Sequence, residues 1–416
     1  MEATKTADEV QTNEPIKDTY KIAYILHFFL GAGYLLPWNT FITAIDYFEY
    51  LYPSKHVERV FSVAYMTSSL IILLMMIKTQ KDSSMIMRRK TSFKLRMNVG
   101  LSMFVFSLMV APTIDWANRS SVKSNGSFVM TVAAVVVCGL ADGLIGGSLI
   151  GSAGNLPKEY MQAVFAGTAS SGVLVTMLRI ITKASLPDNP QGLQTSAHFY
   201  FIVSAAILLI CTLCSNLLFT LPVMQEHYNN HHHLTPPTSN PKLCHTAKKI
   251  LFPSFGILSL YVVTLSIFPG FISDDNQKSE LLKDWYPILL IMVYNISDLA
   301  GKSLTAFMIP SNINKVTWAC LSRVMFYPAF RLILHGPKWL QTEVSTLLLT
   351  FMLGMSNGFL TSSLMILTPK SVSALEAETA AVVMAVALGL GLVGGSVLGE
   401  VGTQDKHRIE HRISTA

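Results

Sequence analysis

Tyr294-Asn295-Ile296-Ser297-Asp298-Leu299-Ala300-Gly301-Lys302-Ser303-Leu304 is the stretch on which the reading of this chain turns. It lies in an apolar run from about Trp285 to Ile309, long enough to cross a bilayer as a helix. An acid and an amine four residues apart share one face of that helix. At such depth each ionisable group costs at least about 2.5–3.5 kcal/mol, so it faces a partner or a wet cavity. Two readings stay open at this point: a structural ion pair tying two helices together, or a pair lining a polar substrate path.

The rest of the chain sets that stretch in a membrane. Of 416 residues, 51% are hydrophobic and only 13% charged, about half the charge of a soluble globular protein. Mean hydropathy is +0.44. Apolar windows of bilayer length recur near 21–45, 58–77, 95–114, 128–152, 160–182, 197–221, 250–271, 285–309, 314–334, 343–367 and 377–400. They are too long and continuous for the alternating strands of a barrel, and backbone groups in lipid must be satisfied internally. The expected fold is an all-α integral membrane protein of about eleven transmembrane helices.

Basic residues give the expected orientation. Lys78, Lys81, Arg88, Arg89, Lys90, Lys94 and Arg96 stand against the single acid Asp82 between the second and third spans. Lys242, Lys248 and Lys249 follow the sixth span. Both groups fall on one side when the N-terminus is cytoplasmic, and an odd number of spans then puts the C-terminus outside. Two glycosylation sequons, at Asn118 and Asn125, fall on the outer side, while a third at Asn295 is inside a span and is not expected to be modified. Residues 1–20 are polar and acidic-leaning, with no apolar core or cleavage site of a signal peptide, and read as a cytoplasmic tail.

The break at 222–249 separates six spans (21–221) from five (250–400), leaving a short outer tail at 401–416. A division of this kind is where a transporter joins two bundles. The break carries His227, His231, His232 and His233, but ligand spacing is not completed apart from Glu226 and Cys244, so it reads as a linker and no metal is expected. Cys211-x-x-Cys214 sits in an apolar helix and reads as packing. Gly143-Leu-Ile-Gly-Gly-Ser-Leu-Ile-Gly151 echoes Gly391-Leu-Val-Gly-Gly-Ser-Val-Leu-Gly399, and small residues at this spacing allow close helix approach.

Enzyme signatures fail on context. Gly354-Met-Ser-Asn-Gly358 has the form of a nucleophile elbow but lies mid-span, and Gly301-Lys-Ser303 lacks the first glycine of a phosphate loop, Ile296 standing there. The basic run at 78–96 flanks a span and speaks for topology, not nucleic acid. What remains is polarity inside the spans. The first holds Pro37, which frees a backbone carbonyl, Trp38 with a flat stacking face, and Asn39 with donor and acceptor. Asp142 is in the fourth span; Thr168, Ser170, Ser171 and Arg179 are in the fifth; Arg323 is in the ninth; Ser356 and Asn357 are in the tenth. Asp142 and Arg179 have the charges to pair, as glue or as a gate. Phe268-Pro269-Gly270 breaks the seventh helix, either as an ordinary terminus or so that an aromatic ring closes over a cavity.

Assembled, these stretches resemble the equilibrative nucleoside transporter family, and its plant branch most. The resemblance rests on Gly33-Tyr-Leu-Leu-Pro-Trp-Asn39, Phe268-Pro269, Tyr294-Asn-Ile-Ser-Asp-Leu-Ala-Gly-Lys-Ser303, Ser356-Asn-Gly358 and Glu376-Ala-Glu-Thr-Ala380, in matching order over roughly 20–400. It implies a six-plus-five, major-facilitator-like fold with a central site, and alternating access for purine and pyrimidine nucleosides without a covalent step or cofactor. By the same resemblance, Trp38 and Leu35 pack the nucleobase, Asp298 and Lys302 hold the ribose hydroxyls, Asn295 lies a turn away, and Phe268, Pro269 and Asn39 form a gate. Thr168 stands where animal members have glutamine. Lys302 stands where they often have arginine, keeping the charge but losing the bidentate fork. The implied carrier is facilitative, with adenosine, uridine and their relatives as substrates and lipid as its surroundings. Proton coupling through Asp142 or Asp298 is the alternative, making protons a further partner. The plasma membrane is the default location and the vacuolar membrane the other.

Overall fold

The structure, a computed structural model, describes residues 21–80, 86–117, 125–225, 243–268, 285–337 and 340–414. The described residues are almost entirely helical. In chain order the helices are α1 (Ile22–Thr43), α2 (Ile45–Leu51), α3 (Val57–Gln80), α4 (Ile86–Ala117), α5 (Asn125–Asn155), α6 (Lys158–Ser185) and α7 (Pro190–Leu218). Then come α8 (Leu243–Lys249), α9 (Leu251–Ile267), α10 (Tyr286–Leu304), α11 (Ile313–Ser322), α12 (Phe326–His335), α13 (Glu343–Lys370) and α14 (Ala377–Ser414). Eight of these are long and apolar enough to cross a membrane: α1, α3 to α7, α13 and α14. Of the rest, α9 is apolar but shorter, and α10 and the bent α11–α12 unit occupy the windows expected at 285–309 and 314–334.

Helix ends follow local chemistry. Asn189 caps α7 by accepting from the Gly192 N–H at 2.7 Å, and Pro190 opens the helix where a missing N–H costs nothing. Asn312 caps α11 by accepting from the Asn314 and Lys315 N–H groups, and Thr342 caps α13 from Ser345. Between α11 and α12 lies a 3-10 turn at Arg323–Met325, and Arg323 is buried there.

Lipid takes the place of water on the outside of this molecule. Phe106, Leu213, Leu251, Val344 and Leu348 are all exposed along long helices, as expected where the surroundings are hydrocarbon. Inside, α1 packs on α6 and α7, and α5 packs on α3 and α4. In the second half α10 packs on α13, and α9 packs on α14 and α11. The two halves meet chiefly where α6 lies against α10, and where α14 lies against α5 and α3.

Glycines set the closest of these approaches. A Cβ on Gly358 would stand 2.1 Å from the Asp298 carbonyl oxygen, and one on Gly301 would stand 2.3 Å from that of Met355. Backbone of α10 therefore lies directly on backbone of α13. The two copies of the glycine echo serve different partners. Gly143 lies on Ser69 and Ile72 of α3, whereas Gly391 lies on Leu258 and Tyr261 of α9. Cys211 is free and buried, its thiol 3.3 Å from the Phe29 carbonyl, in agreement with packing.

Two local features differ from the sequence reading. The break at 222–249 ends in a helix, α8, and the histidines at 227 and 231–233 lie outside the described residues. The last helix continues without interruption past residue 400 to Ser414.

Candidate functional site

Within α10 the four-residue spacing does what helical geometry requires. Lys302 Nζ lies 2.9 Å from Asp298 Oδ2, and the two residues are only 4% and 6% exposed. Neither charge faces lipid. Lys302 also donates to Thr168 Oγ1 at 3.2 Å, across the contact between α10 and α6. Asp298 Oδ1 accepts from Asn357 Nδ2 of α13 at 2.7 Å. The pair is thus held from three helices and both halves of the molecule, closed off in this conformation.

Beyond Asn357 the network runs to Arg323, where the 3-10 turn brings its guanidinium inward. Arg323 Nη1 donates to Asn357 Oδ1 at 3.3 Å, to Thr264 Oγ1 at 2.9 Å and to the Leu260 carbonyl at 3.2 Å. Its Nη2 donates to the Leu353 carbonyl at 2.9 Å. A guanidinium buried to this degree needs several acceptors, and it takes two backbone carbonyls of α9 and α13 to supply them. Asn357 relays between the cation and Asp298.

On the first half, Trp38 stacks on Tyr65 of α3, with ring centroids 4.3 Å apart and planes 24° apart. Asn39 donates to Ser171 Oγ at 2.8 Å. Ser171 lies three residues after Thr168 and so on the same face of α6. That face therefore joins Asn39 of α1 to Lys302 of α10. Asn295 donates to Thr176 Oγ1 at 2.8 Å and to the Gly172 carbonyl at 3.2 Å, a second crossing between the halves. Leu35, Trp38, Asn39 and Asn295 are all partly exposed, whereas Thr168 is buried.

Phe268 ends α9 in extended backbone and stacks on Tyr294 at 4.2 Å and 18°. In this conformation Phe268 partners Tyr294 while Asn39 partners Ser171. Pro269 lies outside the described residues.

The two unassigned charges of the first half do not pair with each other. Arg179 Nη2 reaches Asp46 Oδ2 at 2.5 Å and its Nη1 reaches the Thr43 carbonyl at 2.6 Å, tying α6 to the end of α1 and the start of α2. Asp142 instead accepts from Ser69 Oγ at 2.5 Å. The physical reason is depth: Asp142 is 7% exposed, whereas Arg179 sits near the C-terminal end of α6 beside a polar cleft lined by Asp46, Asp188 and Tyr200. That cleft includes none of the residues around Asp298.

At the linker end, Glu376 accepts from Lys249 Nζ at 2.8 and 3.1 Å, from Thr246 at 3.1 Å and from Ser373 Oγ at 2.9 Å. The Lys249 ammonium, with these hydroxyls, holds its carboxyl down to about 2. Lys370 meanwhile donates to the Leu156 carbonyl at 2.5 Å, and Asn155 donates to Glu378 Oε2 at 3.2 Å. The α13–α14 corner is thereby fastened to α8 on one side and to the α5–α6 corner on the other.

Several of these residues were not singled out from sequence: Tyr65, Ser69, Thr264 and Gln162, which donates to the Lys302 carbonyl at 3.3 Å. Only an aromatic or polar side chain inside an apolar window marks them.

A multi-span helical protein in two packed halves, with the buried Asp298–Lys302 pair where the halves meet, is a membrane carrier in architecture. Similar solved structures agree on the fold. The proton:xylose symporter XylE shares 13% identity at a TM-score of 0.64, covering 95% of this chain and 91% of that one. The E. coli fucose:proton symporter FucP shares 10% at 0.60, covering 93% of each. Both are major facilitator superfamily transporters. The model of the nucleoside transporter family matches residues 132–241 and 238–401, and the chain belongs to that family. It is 56% identical to Arabidopsis thaliana equilibrative nucleotide transporter 8, over 94% of this chain and 97% of the relative. To equilibrative nucleotide transporter 1 of the same plant it is 45% identical, over 94% and 88%. Human equilibrative nucleoside transporter 4 is 27% identical over 97% of this chain.

Proposed function

We propose that this protein carries purine and pyrimidine nucleosides down their gradient by alternating access, with the nucleoside held where the two bundles meet. One observation carries this reading. The Asp298–Lys302 pair belongs to one half, yet its ammonium bonds Thr168 of the other. A ligand bound there would exchange those cross-bundle bonds for its own, which is what rocking residues 21–221 against 250–400 about a central site requires. The nucleobase lies against Trp38 and Leu35. The ribose hydroxyls are shared by Asp298, which accepts, and Lys302, which donates, with Thr168 and Asn295 beside them. Phe268, Pro269 and Asn39 close over the ligand.

Charge supports a nucleoside over a nucleotide. Among the described residues the buried acids are Asp115, Asp142, Asp298 and Glu376 and the buried cations Lys302 and Arg323, so the interior holds no surplus positive charge. A phosphate monoester would bring nearly two uncompensated negative charges into that setting. The basic segment 78–96 supports a cytoplasmic N-terminus and an outer C-terminus, and the plasma membrane is the default location.

The test is uptake of labelled adenosine and uridine by purified protein in proteoliposomes, with and without an imposed pH gradient. Flux that stops at equal concentrations in both cases, and that adenosine monophosphate does not compete, is the expected result. Accumulation driven by the proton gradient would overturn the facilitative reading in favour of symport. Absence of nucleoside flux would overturn the substrate assignment.

A further inference from the structure

Asp142 is the one buried carboxylate beside Trp38 that the reading above leaves without a task. Among the described residues no cation pairs with it. Ser69 donates to its Oδ2 at 2.5 Å, and the Tyr65 hydroxyl faces the same carboxylate. Tyr65 is also the ring on which Trp38 stacks. The carboxylate therefore stands beside Tyr65, the ring under Trp38. Tyr34 of α1 is within electrostatic reach both of Asp142 and of Tyr261 in the second bundle, and Tyr261 in turn is within reach of Asp298 and Lys302. Gly146, one turn beyond Asp142 on α5, has no side chain, and the Tyr34 ring fills that position: a Cβ there would be 2.5 Å from the Tyr34 hydroxyl. Two stacked rings with an acceptor at the Tyr65 rim have the polarity of a nucleobase partner.

The geometry points to Asp142 as the residue that reads the edge of the base, accepting from the exocyclic amine of cytosine or adenine and turning away the carbonyl edge of uracil or hypoxanthine. This inference rests on the nucleoside reading above. Its chemistry is simple. An ionised carboxylate only accepts hydrogen bonds. Cytosine N4 and adenine N6 donate, whereas the corresponding carbonyl of uracil or hypoxanthine presents lone pairs to the same oxygen. A site that leaves a buried acceptor facing an acceptor discriminates strongly, because the group is desolvated without a partner.

Two pairs of substrates isolate the effect, since cytidine and uridine, and adenosine and inosine, differ at that one edge position. Initial uptake rates of all four are measured in proteoliposomes with wild-type protein and with Asp142→Asn, which keeps the shape but lets an amide donate. Wild type is expected to favour the amino member of each pair by about tenfold, the worth of one charge-assisted hydrogen bond. Asp142→Asn is expected to bring both ratios to near unity. A second measurement needs no variant: cytidine should compete labelled adenosine uptake by wild type about tenfold better than uridine does. Equal uptake within both pairs, equal competition by cytidine and uridine, or unchanged ratios in Asp142→Asn would each overturn this proposal alone. No flux for any of the four would overturn the transport reading, and this with it.

Discussion

Neutralising the α10 pair separates a structural role from a substrate role. Lys302→Ala removes an ammonium 2.9 Å from Asp298 Oδ2 when the two side chains are 5% and 9% exposed. The stranded carboxylate keeps only the Asn357 amide, and breaking a buried pair in this way costs about 3–5 kcal/mol. Asp298→Asn strands the ammonium at similar cost. The double variant Asp298→Asn/Lys302→Met leaves no buried charge, and such replacements are often neutral or stabilising by about 1–4 kcal/mol. Stability should therefore fall in each single variant and return in the double variant, read as thermal unfolding in detergent. Transport should not return. A charge-assisted hydrogen bond to a ribose hydroxyl contributes about 1.5–3 kcal/mol, so losing it lowers initial uptake per reconstituted protein by roughly tenfold to a hundredfold. A double variant that is stable and carries nucleoside at the wild-type rate would refute the reasoning, because the pair would then only tie helices together.

Other expectations follow from single contacts. Gly358→Ala drives a methyl group to 2.1 Å from the Asp298 carbonyl oxygen, so α10 and α13 must separate; a loss of about 1–3 kcal/mol in unfolding stability, with reduced uptake, is expected. Arg179→Ala removes a pair whose side chains are 26% and 50% exposed, and the change in unfolding stability should stay within about 1 kcal/mol. Glu376 gives a pH signature. Its carboxyl is held down in the folded protein, so its stabilising effect is complete above the ordinary value of 4.5 and is lost as pH falls toward about 2. The gap in melting temperature between wild type and Glu376→Gln should thus be widest at pH 6 and narrow steadily below pH 4.5.

Much of the fold was legible because lipid imposes a strong pattern: helices long enough to span, separated by polar breaks, with charge admitted only where it has a partner. Asp298 and Lys302 stood out on that ground alone, four residues apart in an apolar window. Their other partners were visible as polar residues in spans, but not as partners. Asn357 and Thr168 are ordinary polar residues in their spans, and only the packing of α13 and α6 brings them to the pair. Arg323 was visible as a cation inside a span, but its inward turn depends on the 3-10 break between α11 and α12, where Pro328 cannot donate back to the Val324 carbonyl, and a proline in a span does not say which side chain it turns inward. The charges of Asp142 and Arg179 suggested each other by sign, yet Arg179 reaches Asp46 near the end of its helix, a residue that reads from sequence as an unremarked loop acid. Spacing within one helix is readable; spacing between helices waits for the packing.

The central claim is that a nucleoside sits between the two bundles with its ribose on the α10 pair. Its most direct test is a structure of the purified protein with adenosine bound. The account predicts ribose hydroxyls within hydrogen-bond distance of Asp298 and Lys302 and the base against Trp38. Adenosine bound elsewhere, with the Lys302 to Thr168 contact intact and the pair still closed, would contradict it.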